Sequence, residues 1–194
     1  MNSTVIPAAI VLLNGKRKCG KDYFAEILAQ GLGDVSKILH LSEEIKREYA
    51  QLHSLDYELL LTDSPYKDTY RTEMIALGES RRNADPGHYC RLATQHCVAP
   101  VWIIVDNRRQ SDIAFFKSTY PQDVCLVVRI TADDDVRKER GWVWKSGVDN
   151  VESECGLDDY PPDVVVRNNG GDETEFQACV GKVKDWVLDK LKVS

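Results

Sequence analysis

At 194 residues the chain is long enough for one sizeable core and too short for two generous ones, so a single domain over 1–194 is expected. Its 43% hydrophobic and 29% charged residues are those of an ordinary globular protein and argue against a disordered chain. The formal net charge of -6 argues against a general nucleic-acid binder, so any anion handled here has to meet a local cluster of cations.

The N-terminus, Met1-Asn2-Ser3-Thr4, is polar and the apolar stretch after it is short, which makes a first strand rather than a secretory signal. No run approaches the roughly 18 apolar residues of a membrane span. Cys19, Cys90, Cys97, Cys125, Cys155 and Cys179 form no C-x-x-C pair and read as reduced thiols. A cytoplasmic location, with no nucleic acid or membrane as partner, is therefore expected; a monomer is the default expectation, since the sequence does not give the oligomeric state. Short apolar, partly β-branched runs at 8–13, 35–39, 101–105, 124–130 and 163–166 predict strands. Between and after them, patterning and start signals predict helices over 20–30, 42–52, 67–82, 86–96, 111–117, 132–140 and 172–191. Ser42 before two glutamates, Pro86 after Asp85, and Ser111 before Asp112 are the start signals. Runs apolar at successive positions, such as Val101-Trp102-Ile103-Ile104-Val105, fit strands covered on both faces. The fold class is α/β, a three-layer sandwich around a central, mostly parallel five-stranded sheet. The segment 141–162, rich in Gly, Pro and acids, reads as irregular.

Between the first strand and first helix lies Gly15-Lys16-Arg17-Lys18-Cys19-Gly20-Lys21, with the G-x-x-x-x-G-K spacing of a phosphate-binding loop. Such a turn points successive backbone N–H groups at phosphate oxygens, the lysine reaches the terminal phosphates, and the helix N-terminus adds positive potential. Asp22 stands where Ser or Thr normally binds Mg²⁺; a carboxylate there can serve the ion, directly or through water, or only cap the helix. Further on, Asp106, Arg108 and Arg109 follow a buried strand, at the carboxyl end where ligands of open α/β sheets sit. Asp106 resembles the acid of a Walker B strand, and the two arginines suit bidentate phosphate binding. Surface ion pairs are the competing reading for that pair. Arg137 and Arg140 fall three apart on one helix face and suit a lid over roughly 132–160; an exposed amphipathic helix is equally consistent. Asp133-Asp134-Asp135 reads as helix N-terminal acids, and Trp142 and Trp144 as lid packing. Asn168-Asn169-Gly170 is a turn after the last strand whose amides could hold adenine or acceptor.

No N-K-x-D guanine signature is present, and the cation-rich acceptor region favours a small-molecule kinase. The chain resembles the animal-type phosphomevalonate kinase family through 15–22, Lys46-Arg47-Glu48-Tyr49-Ala50-Gln51 and Arg82-Asn83-Ala84-Asp85-Pro86-Gly87. Asp106-Asn107-Arg108-Arg109-Gln110-Ser111-Asp112-Ile113, Arg140-Gly141-Trp142-Val143, Gly147-Val148-Asp149 and 152–158 continue the resemblance in family order. Asp after the loop lysine belongs to that family's pattern, whereas Cys19 replaces its usual Ser. The resemblance implies a nucleoside-monophosphate-kinase-like fold and transfer of the ATP γ-phosphoryl group to (R)-5-phosphomevalonate, with Mg²⁺. It further implies that Lys16, Arg17, Lys18, Cys19, Gly20, Lys21, Asp22 and Arg140 hold ATP, with Arg137 joining the lid, Asn169 near the nucleotide and Asn168 near the acceptor. Lys46, Lys67, Arg82, Arg108, Arg109 and Arg129 are implied as acceptor or transition-state cations. The rival expectations are a nucleoside-monophosphate kinase and a nucleotide-binding regulator without transfer activity.

Overall fold

The computed structural model describes residues 6–62, 64–171 and 173–193. The polar start at 1–4, the first residue of the helix expected over 172–191 and the last residue of the chain lie outside the described residues.

Five strands, β1 (Ala9–Asn14), β2 (Ser36–His40), β3 (Val101–Val105), β4 (Cys125–Thr131) and β5 (Val164–Arg167), form one sheet of order β2-β3-β1-β4-β5. Every neighbouring pair is parallel, so all five carboxyl ends open on one edge. Strands β1 and β3 are buried at every position. Their alternate residues feed two cores, as the period of two requires. Val11, Leu13, Ile103 and Val105 meet α1 (Lys21–Leu32) and α9 (Glu173–Val193) through Phe24, Leu28, Val183 and Val187. On the other face, Ile10, Leu12, Trp102 and Ile104 pack with Leu41, Ile113 and Phe116. Those residues come from α2 (Leu41–His53) and α6 (Gln110–Thr119).

Beside this sandwich α2, α3 (Tyr57–Leu61) and α4 (Pro65–Ala84) share a smaller core of Tyr49, Ala50, Leu60 and Met74. That lobe faces the loop after β1 across a cleft. α5 (His88–Thr94) leads into β3, while α7 (Asp134–Glu139) and α8 (Glu152–Cys155) lie in the segment expected to be a lid.

Three start signals turn out differently. Ser42 lies inside α2, and its hydroxyl donates to Asp106 Oδ2 at 2.7 Å instead of capping the helix. Asp85, Pro86 and Gly87 make a turn, with His88 N donating to Asp85 O at 3.0 Å, so α5 starts two residues later than expected. At α6 it is Asp112 whose carboxylate accepts from the Arg108 and Arg109 amides, at 3.1 and 3.2 Å. α3 and α8, of five and four residues, occupy segments that carry no helical period long enough to read.

Candidate functional site

The loop between β1 and α1 is shaped by its glycines. Gly15 (φ 141°) and Gly20 (φ 94°) take backbone conformations that strain any residue with a Cβ. Such an atom would lie 2.2 Å from the Ile130 carbonyl oxygen at Gly15 and 2.1 Å from Asn168 Nδ2 at Gly20. The loop can therefore lie flat against β4 and the turn after β5. Lys21 is only 5% exposed, and its Nζ reaches the Lys16 carbonyl at 3.3 Å.

Lys18, Lys21 and Asp22 form one wall of a cleft of ≈ 590 Å³. Lys46, Lys67, Arg82, Arg108 and Arg109 line the same cleft, as does Arg17. The structure thus brings together, from the loop, α2, α4 and the end of β3, most of the cations that the sequence singled out. Lys16, Arg137 and Arg140 lie outside this cleft's walls, and among the expected acceptor cations Arg129 is the exception. Its Nε donates to Asn14 Oδ1 at 3.0 Å, and its Nη atoms donate to the Leu157, Asp158 and Tyr160 carbonyls. It lines a second cavity of ≈ 310 Å³ with Lys16 and Cys19, and clamps the end of the lid segment to the sheet. Arg129→Met is expected to lower stability by about 2 kcal/mol in urea melts, the worth of a charged donor's bonds, while acceptor KM stays within roughly threefold of wild type.

Each cleft arginine has an acid partner. Arg82, 5% exposed in its side chain, pairs with the fully buried Asp112 at 3.2 Å and lies over the Tyr89 ring. Arg109 holds Glu79 through both Nε and Nη2. Arg108 meets Asp106 at 3.6 Å and Glu154 at 2.5 Å, and donates to the Ser153 carbonyl at 3.1 Å. These contacts hold planar donors in place at the cleft wall before any ligand arrives, which lowers the cost of ordering them.

Asp106 has φ 68° at the end of β3 and is flanked by His40 Nδ1 at 3.6 Å. Burial works to raise its pKa, but the bond from His40 and the charges of Arg108 and Lys21 outweigh it and hold the carboxyl well below the usual range. His40 also lies 4.0 Å from Asp22, whose side chain is 70% exposed. Lys46 donates to Ser42 Oγ at 3.1 Å; burial, with help from Arg108, pushes its pKa down against the pull of Asp106. Among the described residues no group of three or more His, Cys, Asp or Glu could hold a metal unaided. Two carboxylates flanking one imidazole at the phosphate edge do suit Mg²⁺, which takes one or two acids and completes its shell with phosphate oxygens and water.

In the segment expected to be a lid, Arg137 Nε donates to the Arg17 carbonyl at 2.8 Å, and its guanidinium lies 3.9 Å from the Trp142 ring centroid. Trp142 is buried and Trp144 is exposed. Arg140 reaches the Lys18 and Cys19 carbonyls at 3.4 and 3.3 Å and the Asn168 carbonyl at 2.9 Å. Asn168, expected near the acceptor, instead donates to the Cys19 carbonyl at 3.0 Å, and Asn169 pairs with Asp133 at the start of α7. Both asparagines therefore tie the turn after β5 to the loop and to the start of α7. Three lid acids were invisible to sequence reasoning in any functional role: Asp149 pairs with Arg17 at 3.3 Å, Asp158 with Lys16 at 2.8 Å, and Glu154 with Arg108 and the Arg17 amide. They lie in stretches that carry the family resemblance, which gives them no role, because an acid-rich loop reads the same whether it is solvated or folded back.

The model of the phosphomevalonate kinase family matches residues 13–122. The phosphomevalonate kinase of Drosophila melanogaster is 40% identical over 190 residues, covering 95% of this chain and 97% of that protein. Among solved structures, TT1252 from Thermus thermophilus aligns with TM-score 0.52 at 13% identity, over 96% of this chain and 98% of that one. Shikimate kinase from Bacteroides thetaiotaomicron aligns with TM-score 0.51 at 13% identity, over 93% and 98%. At such identity these two structures speak for the fold alone.

Proposed function

The chain belongs to the phosphomevalonate kinase family, and on that premise we propose how its own residues carry the γ-phosphoryl group of ATP to (R)-5-phosphomevalonate, giving (R)-5-diphosphomevalonate and ADP in the mevalonate route to isoprenoids and sterols. The observation that carries the reading is a single cleft in which the loop lysine, Lys21, shares walls with Lys46, Lys67, Arg82, Arg108 and Arg109. Bringing a triphosphate against a phosphomonoester sets several negative charges within a few ångströms, and only concentrated positive charge makes that approach affordable.

The acceptor phosphate, with a second pKa of about 6, is mostly a dianion at neutral pH and attacks without a strong general base. Catalysis is then positioning and charge stabilisation. Lys18, Gly20 and Lys21 cradle the nucleotide phosphates, with Lys16, Arg17 and Cys19 completing the loop. Lys46, Lys67 and Arg82 hold the acceptor. Arg108 and Arg109 stand at the end of β3, and Arg108, against the loop, meets the charge that builds on the transferring group. Arg137 and Arg140 hold the lid to the loop backbone and keep water out. Asn169 steadies the lid beside the nucleotide, and Asn168 fixes the loop against which the acceptor is presented. Mg²⁺ would be held by Asp106 and Asp22, directly or through water, and would neutralise part of the phosphate charge.

The reading takes the enzyme as a cytoplasmic monomer with a small-molecule acceptor and no nucleic-acid partner; its six cysteines are all free, which suits a reducing compartment. Among the described residues no helix is long and apolar enough to cross a membrane. The test is an ADP-release assay over a panel of acceptors. Turnover with (R)-5-phosphomevalonate and none with nucleoside monophosphates is expected. The reverse pattern would replace this acceptor with a nucleotide, and no turnover with any acceptor would leave a nucleotide-binding regulator.

A further inference from the structure

Glu154 is an acid in an unusual place. Its side chain is 3% exposed, one oxygen accepts from the Arg17 amide of the phosphate-binding loop, and the other meets Arg108 Nη1 at 2.5 Å. A loop amide and the guanidinium facing it are the kind of donors that a transferring phosphoryl group needs. A carboxylate, planar and anionic, fits between them as a phosphate oxygen pair does. Glu154, Ser153 and Arg108 line both the large cleft and the second cavity, so the Glu154–Arg108 pair forms the wall between the two. The neighbouring lid acids repeat the pattern, Asp149 on Arg17 and Asp158 on Lys16.

We propose that Glu154 is a specificity-determining residue of the transfer reaction: a built-in anion that occupies the phosphoryl position and yields it only to a more highly charged phosphate. The inference rests on the kinase reading and deepens it. To enter, a ligand must give Arg108 and the Arg17 amide at least what the carboxylate gave them. An acceptor phosphate brings about two negative charges in place of one. A water molecule or a neutral hydroxyl brings none, and would leave Arg108 without its shortest ion pair in a largely buried setting. Discrimination against neutral ligands follows.

The test is Glu154→Gln, which keeps shape and removes charge. Inorganic pyrophosphate, titrated calorimetrically, is expected to bind the variant at least roughly threefold more tightly than wild type, because a like charge has left its site. Unchanged or weaker pyrophosphate binding would overturn the proposal and make Glu154 a scaffold for Arg108. Because a variant can fail to fold, the wild-type chain crystallised with pyrophosphate is the second arm. There the Glu154 carboxylate is expected to be displaced from Arg108, and pyrophosphate bound beside an intact pair would overturn the proposal equally. Neither arm involves the acceptor, so failure here is distinct from failure of the acceptor assay.

Discussion

Lys21→Met is expected to lower kcat by at least roughly a hundredfold, equivalent to about 3 kcal/mol of lost charge stabilisation, with acceptor KM changed far less. The lysine opens α1, is 5% exposed, and its ammonium is tied by the Lys16 carbonyl at 3.3 Å, so its charge is held at the loop end of the cleft. Methionine reproduces the unbranched apolar stem and suits a helix, so the fold is retained and only the charge is lost. A split with kcat down and KM little moved marks an interaction made in the transition state. The measurement is ADP release at saturating (R)-5-phosphomevalonate, and a wild-type-like rate would remove Lys21 from the mechanism.

Asp112→Ala is expected to cost about 3 to 5 kcal/mol of stability, although Asp112 is absent from the cleft wall. Its carboxylate is fully buried and serves four groups: the Arg108 and Arg109 amides at 3.1 and 3.2 Å, the Arg82 side chain at 3.2 Å, and Cys90 Sγ at 3.9 Å. Removing it strands the Arg82 charge in a buried site and frees the turn that aims Arg108 and Arg109. At this chain length each kcal/mol is worth roughly 2–4 °C, so the melting temperature should fall by about 6 to 20 °C. Asp112→Asn keeps the shape and some of the amide bonds and is expected to fall between wild type and alanine. Urea denaturation measures both, and a loss below about 1 kcal/mol for the alanine variant would show that Asp112 is not the organising centre of the arginine cluster.

The phosphate loop was legible because its requirements are local. Glycines that must take left-handed angles, a lysine one residue past the second of them, an apolar strand before and a helix after all lie within about twenty-five residues. Strand β3 was readable to the residue, since Val101 to Val105 are apolar throughout and bounded by Pro100 and Asp106. Helix starts were less legible. Ser42, Pro86 and Ser111 carry good start chemistry, but Ser42 binds Asp106, Pro86 sits in a turn, and at α6 it is Asp112, not Ser111, that accepts backbone amides, those of Arg108 and Arg109. A side chain with two possible partners goes to the one that tertiary packing brings within reach.

The same limit separates the cations from their counter-ions. Residue types and their order were enough to name a phosphate-binding loop, a buried parallel sheet and the arginines after β3, because backbone conformation and burial period are written in neighbouring positions. Which acid each arginine meets was decided only when the chain folded. Arg108 and Glu154 are 46 residues apart, Arg17 and Asp149 132, and Cys19 and Asn168 149. Coulomb attraction has no sequence period, and it acts between whichever charges the packing of apolar faces has carried together. The cores on either side of the sheet set those approaches, and so it was the tertiary structure that kept Arg129 out of the cation-lined cleft and brought Glu154 between Arg108 and the Arg17 amide.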